Sequence, residues 1–146
     1  MKWHEHCRYM ELEREYSVRD LALFHGHLGP YIVLGYRIGR YASEYFGNNP
    51  FEMKAKVYCS GTTPQSCLAD GVQLGSGCTI GKRNIELEIS DDLKCEFESG
   101  GKKIVLVPKK FEIPKSSDVD YELIIEEFAE KMYGLEDSEL FEVSGI

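Results

Sequence analysis

The segment Phe24-His25-Gly26-His27 places two imidazoles on either side of one glycine. Imidazole titrates near neutrality and ligates metals, so such a pair can hold a cation or move protons. Helical turns bring together residues three or four apart, so His25 and His27 share a direction only where the backbone is extended. Gly26 between them and Gly29-Pro30 after them permit that. Alone the pair is a weak signal, because a histidine beside a helix end also serves as a plain hydrogen-bond partner. A second segment runs from Cys59 through Gly71 to Lys82. On a helix opening near Pro64, Cys67, Asp70 and Gly71 occupy one face. Gly71 costs about 1 kcal/mol of helix propensity, which implies that something packs very close to it. Cys78 stands in a glycine-rich stretch where backbone N–H groups and Lys82 can hold an anion. The spacing is not that of a phosphate-binding P-loop, since Arg83 follows Lys82. Glycines also serve turns, and cysteines are more often small buried hydrophobes than reactive groups. Two such segments in one short chain point to a joint site.

The chain that must position them has 146 residues, with 17 Lys and Arg against 25 Asp and Glu, a net charge of −8. That length predicts one domain, residues 1–146, able to bury a sizeable core without staples. Hydrophobic residues at 42% and charged residues at 29% exclude whole-chain disorder. The acidic balance argues against nucleic-acid and anionic-membrane partners. No apolar stretch approaches the roughly 20 residues that cross a bilayer. The opening Met1-Lys2-Trp3-His4-Glu5-His6 lacks the apolar core of a signal peptide, so the expected location is cytoplasmic. Cys7, Cys59, Cys67, Cys78 and Cys95 are odd in number and form no CxxC, which makes a poor disulfide framework.

Helix and strand signals come segregated, predicting an α+β fold with a mixed or antiparallel sheet packed by helices. The stretch from His4 to Tyr16 is helix-compatible, with apolar residues thinly spread. Ser17 and Asp20 resemble a capping box for a helix over Val18 to Phe24. Pro30 suits a helix start and Gly47 its stop, with Ile32, Tyr36, Gly39 and Ser43 on one stripe. Phe51 to Tyr58 alternates as a half-buried strand. Thr63-Pro64 reads as cap and first position of a helix through about Leu74, followed by a loop over Gly75, Gly77 and Gly81. Strands are expected at Ile85 to Ile89, Cys95 to Glu98 and Lys103 to Val107. Tyr121 to Tyr133 reads as a helix capped by Asp118 or Asp120, and Leu140 to Val143 as a last strand.

Phe24 to Pro30, with Gly35-Tyr36-Arg37 beyond, resembles the opening motif of the E-type subunit family of formylmethanofuran dehydrogenase. Cys67 to Gln73, followed by Gly77 to Asn84, resembles that family's second motif, so the likeness spans roughly Ser17 to Asn84, with weaker support from Glu139-Leu140-Phe141. The resemblance implies an α+β core, a homodimer, and association with formylmethanofuran dehydrogenase subunits in one-carbon metabolism, where the partner enzyme carries a molybdenum or tungsten pterin. Carried over by position, it implies a cluster of His25, His27, Cys67 and Cys78, with Asp70 and Lys82 beside it. Gly29 stands where the family motif has a cysteine, one ligand short of the pattern. The C-terminal cysteine-rich zinc finger of many members has no counterpart here, so the core domain alone is expected.

Mixed thiolate and imidazole donors suit zinc, which takes four such ligands or three and an open position. The first expectation is therefore a metal-binding accessory or subunit-like protein. A small-molecule enzyme is the second, with Cys78 or Cys67 as nucleophile, a histidine as base, and Lys82 and Asp70 as further catalytic candidates. The third is a cofactor-free module that docks on a molybdenum or tungsten dehydrogenase.

Overall fold

Alternating apolar residues build the sheet. The computed structural model describes residues 8–9, 12–115 and 120–145. Strand β1 (Lys54–Cys59) buries Ala55, Val57 and Cys59 and turns Lys56 and Tyr58 outward. β2 (Ile85–Ile89), β3 (Lys94–Ser99), β4 (Lys102–Pro108) and β5 (Phe141–Gly145) complete a sheet of order β2-β1-β3-β4-β5. β1 and β2 run parallel and the other neighbours antiparallel, so the sheet is mixed. The register aligns Ala55, Phe97 and Ile104 in one inward row and Val57, Cys95 and Leu106 in the next. On the outer face Lys56 meets Glu86 and Glu88, and Glu96 meets Lys94 and Lys103, at 3.6 to 3.9 Å. Exposed pairs of this kind add little stability and mark a solvated face. The fold is α+β.

The helices are α1 (Val18–His25), α2 (Pro30–Phe46), α3 (Leu68–Ser76), α4 (Tyr121–Tyr133) and α5 (Asp137–Leu140). The expected capping box opens α1: Ser17 Oγ accepts from the Asp20 N–H at 3.2 Å and Asp20 Oδ2 from the Ser17 N–H at 2.9 Å. Helix α2 is the central beam, burying Ile32, Val33, Leu34, Ile38 and Ala42. It meets α3 along a seam of glycines four residues apart, Gly35 and Gly39 on one helix, Gly71 and Gly75 on the other. A Cβ built at any of the four falls within 3.0 Å of the opposite backbone, at Gly71 against the Ile32 carbonyl. The missing side chains let the two backbones touch, which answers why a helix tolerates Gly71.

Four expectations need correction. The helix read from Pro64 begins at Leu68, because Gln65–Cys67 is wound as a tighter 3₁₀ turn. The loop expected at Gly75 begins only at Gly77, since Gly75 belongs to the helical seam. The strand expected from Phe51 starts at Lys54, because the Asn49 side chain accepts from the Phe51 N–H at 3.0 Å and holds a turn. Residues 12–17 are irregular rather than helical, and the rest of the His4 to Tyr16 expectation falls largely outside the described residues, as does Asp118. Asp120 stands at the start of α4 without a side-chain cap bond.

Cys59, Cys78 and Cys95 are buried in the core, in line with their bland reading. Burial pushes the Cys95 thiol far above its ordinary value of 9.0, and the neighbouring Cys59 adds to the shift. The folded state therefore prefers the neutral thiol. Its contribution is whole below the unfolded value and is lost as pH rises through about 9 toward the folded one. Urea unfolding is expected to show stability declining above about pH 9, with a shallower decline in Cys95→Ala than in the parent. Identical alkaline slopes for the two chains would refute this.

Candidate functional site

His25 closes α1, and the next residue decides where its partner goes. Gly26 has φ 103°, a left-handed conformation that glycine adopts without cost. It reverses the chain so that the His27 ring lies beside His25, centroids 5.0 Å apart and planes tilted by 44°. The two imidazoles do share a neighbourhood, through a left-handed residue rather than the extended backbone that the sequence suggested. His25 Nδ1 is 2.6 Å from Asp70 Oδ2, and its side chain is 11% exposed against 39% for Asp70. Asp70 sits in the first turn of α3, so the close glycine contact between α2 and α3 helps set this distance.

Cys67 ends the 3₁₀ turn that leads into α3 and is half-buried. Burial pushes its thiol up, and the Asp70 carboxylate pushes it further. Gly29 precedes α2 with φ −136° and ψ 166°, an extended conformation open to any residue. A Cβ there would lie 3.2 Å from His27 Cε1. Position 29 faces His27.

Cys78 has a different environment. It is fully buried, its N–H donates to Ser76 Oγ at 3.0 Å, and its thiol donates to the Met53 carbonyl at 3.6 Å. Burial raises its pKa, against the opposing pull of Ser76, Lys82 and Arg14. Lys82 donates to Thr79 Oγ1 at 2.8 Å, and burial lowers its own pKa. Among the described residues, no three His, Cys, Asp or Glu side chains converge closely enough to hold a metal ion. His25 meets both His27 and Asp70, Cys67 stands near Asp70, and Cys78 packs with Met53 and Ser76.

Sequence reasoning missed Asn84. Its Nδ2 donates to the Pro50 and Met53 carbonyls at 2.7 and 3.1 Å, and its Oδ1 accepts from the Thr79 N–H at 2.9 Å. It clips the loop around Cys78 to the start of β1. Arg37 was also missed; it donates to the Tyr133 carbonyl at 2.7 Å and to Asp137 Oδ1 at 2.9 Å. An arginine on a helix as apolar as α2 was the available signal.

No helix among the described residues is long and apolar enough to cross a membrane. A relative from Archaeoglobus fulgidus, called a probable S-adenosyl-L-methionine-binding protein, is 36% identical over 69 residues. The match covers 42% of this chain and 18% of that protein, so the chain spans under a fifth of the relative's length. The model of the FmdE family, described as "Molybdenum formylmethanofuran dehydrogenase operon", matches residues 24–142, which take in the histidine pair, the glycine seam and nearly the whole sheet. The chain belongs to the FmdE family.

Proposed function

We propose that the chain binds a divalent metal, zinc by its donor chemistry, at His25 and His27, and acts as an accessory protein or subunit of formylmethanofuran dehydrogenase systems in one-carbon metabolism. The observation that carries this reading is the 2.6 Å contact of His25 Nδ1 with Asp70 beside a second imidazole. A carboxylate on one ring nitrogen fixes the tautomer and orientation and makes the other nitrogen a better ligand, the arrangement that stands behind metal-bound histidines. The reading adds Cys67, whose thiol feels the Asp70 carboxylate, as the third donor. The donor set is incomplete among the described residues, so the parent chain binds zinc weakly. The reading includes a cytoplasmic location and a homodimer, with light scattering expected to give a mass well above 16.7 kDa.

Competition against a chromophoric chelator tests the site. Gly29→Cys is expected to tighten zinc binding by about tenfold or more, because it adds a thiolate facing His27. Cys95→Ser should leave the affinity unchanged. Equal affinities for the parent and a folded Gly29→Cys variant would count against the metal reading.

The nucleophile reading draws on the same His25–Asp70 pair beside Cys67. The thiol is raised rather than lowered, opposite to what a thiolate nucleophile needs. Rapid alkylation of Cys67 near neutral pH in metal-free protein is the result that would restore it.

A further inference from the structure

A cleft of about 370 Å³ opens between the segment around Arg14, the end of α1 at Phe24, the last turns of α3 and the loop from Thr79 to Lys82. Its size lies within the roughly 300–1,000 Å³ range of small-molecule sites. None of His25, His27, Cys67 and Asp70 lines it. Two cations do, Arg14 and Lys82, and no carboxylate stands with them in the lining. The chain around them carries a net charge of −8.

Neutral groups hold both cations in place. The Tyr36 hydroxyl donates to the Arg14 carbonyl at 2.8 Å and ties this segment to α2. The Arg14 guanidinium lies against Gly77, where a Cβ would clash with Nε, Cζ and Nη2. Its Nη1 donates to the Leu12 and Asn48 carbonyls at 3.0 and 3.5 Å. Its Nε and Nη2 have no hydrogen-bond partner among the described residues, yet the side chain is only partly buried and lines the cleft. Lys82 gives one proton to Thr79 Oγ1 at 2.8 Å and lies 5.6 Å from the centre of the Phe51 ring. Neither contact supplies a negative charge, and neither cation forms an ion pair among the described residues. Burial lowers the pKa of both, and the charge of Arg14 adds to the lowering at Lys82. Two like charges drawn together and partly out of water cost free energy, which an anion between them offsets.

The rest of the lining describes the body of the ligand. Phe24 and Ile80 are 53% and 66% exposed, and with Leu74 they bring apolar surface to the cleft. Gln73 Oε1 accepts from the Ile80 N–H at 3.0 Å, so its amide NH₂ is the end left to donate.

We propose that this cleft binds a small phosphate monoester with an apolar or aromatic body. The phosphate sits between Arg14 and Lys82, its two charges matching the two cations, with the Gln73 amide as a further donor. The body lies on Phe24, Leu74 and Ile80. A carboxylate carries a single charge and leaves one cation uncompensated.

Titration calorimetry with phenyl phosphate on the full chain tests this, with inorganic phosphate and benzoate beside it. A chelator keeps the protein metal-free, so that phosphate on a metal at the histidines does not count. Inorganic phosphate and benzoate are each expected to bind at least about tenfold more weakly than phenyl phosphate. Lys82→Gln should lose at least about tenfold in phenyl phosphate affinity, whereas Lys109→Gln, at an exposed lysine outside the cleft, should match the parent. Phe24→Ala should bring phenyl phosphate down toward inorganic phosphate and leave inorganic phosphate unchanged. Should Lys82→Gln fail to fold by circular dichroism, the Phe24→Ala split decides alone, since Phe24 is largely exposed. No binding of phenyl phosphate up to about 10 mM overturns the proposal. So does benzoate or inorganic phosphate binding as tightly as phenyl phosphate, a folded Lys82→Gln that binds like the parent, an equal loss in Lys109→Gln, or a Phe24→Ala that changes nothing.

Discussion

Gly71→Ala is expected to destabilise the chain by about 2–3 kcal/mol or more, although alanine is the better helix former by about 1 kcal/mol. The new Cβ would meet the Ile32 carbonyl, the Tyr36 N–H and the Gly35 carbonyl carbon, all backbone atoms that no rotamer change can move. Relief requires α3 to lift from α2, which opens the interface holding Leu68 and Val72 in the core. Gly81→Ala is the control: nothing lies within 4 Å of a Cβ there, and its midpoint should stay within a few tenths of a kcal/mol of the parent. Urea unfolding with an unchanged m-value reads both. A Gly71→Ala midpoint equal to or above the parent's would mean that the helices do not touch in solution as they do in this fold.

That seam shows what a sequence can and cannot say. The cost of Gly71 in a helix announced a close neighbour, but the neighbour lay some 35 residues upstream and no local pattern named it. The strands were legible because β1 and β3 each bury one face, and alternation is the trace of one-sided burial. Of the edges, β2 was read at its observed bounds, Ile85–Ile89, whereas β5, expected over Leu140 to Val143, runs Phe141–Gly145, because Leu140 closes α5 and only Phe141 of the strand is buried. At the site, the closeness of His25 and His27 was legible, whereas the left-handed turn that achieves it was not. The pairing of His25 with Asp70 joins residues 45 apart and appears only once α2 and α3 are in contact. Cys78 was expected as a ligand through the family motif alone; its burial against Met53 is a fact of tertiary packing.

Asp70→Asn is expected to lower zinc affinity by about 10–100-fold while leaving the fold intact. Asparagine keeps the shape and one acceptor for His25 Nδ1 but loses the charge that makes the opposite nitrogen basic. The side chain is 39% exposed, so its stability cost is small. Cys78→Ala separates the two halves of the sequence motif. It removes a fully buried sulfur and should cost about 1–2 kcal/mol of stability. Its zinc affinity should match the parent's, because Cys78 bonds to Met53 rather than standing with the histidines. Circular dichroism and competition titration on the same samples give both numbers. An Asp70→Asn chain that binds zinc as the parent does, or a folded Cys78→Ala chain that has lost it, would reverse the assignment of ligands.

Arg37 waits for partners made 96 and 100 residues later, and β4 for a neighbour that begins at Phe141. A ribosome adding about 5–20 residues per second spends roughly 5–20 s on the first interval, and roughly 2–7 s on the stretch from Pro108 to Phe141. During the second, β4 presents an open edge carrying Leu106 and Val107, the kind of strand that pairs with other chains. The hazard to this protein is therefore greatest while it is being made, before Phe141–Gly145 arrives to cover the edge.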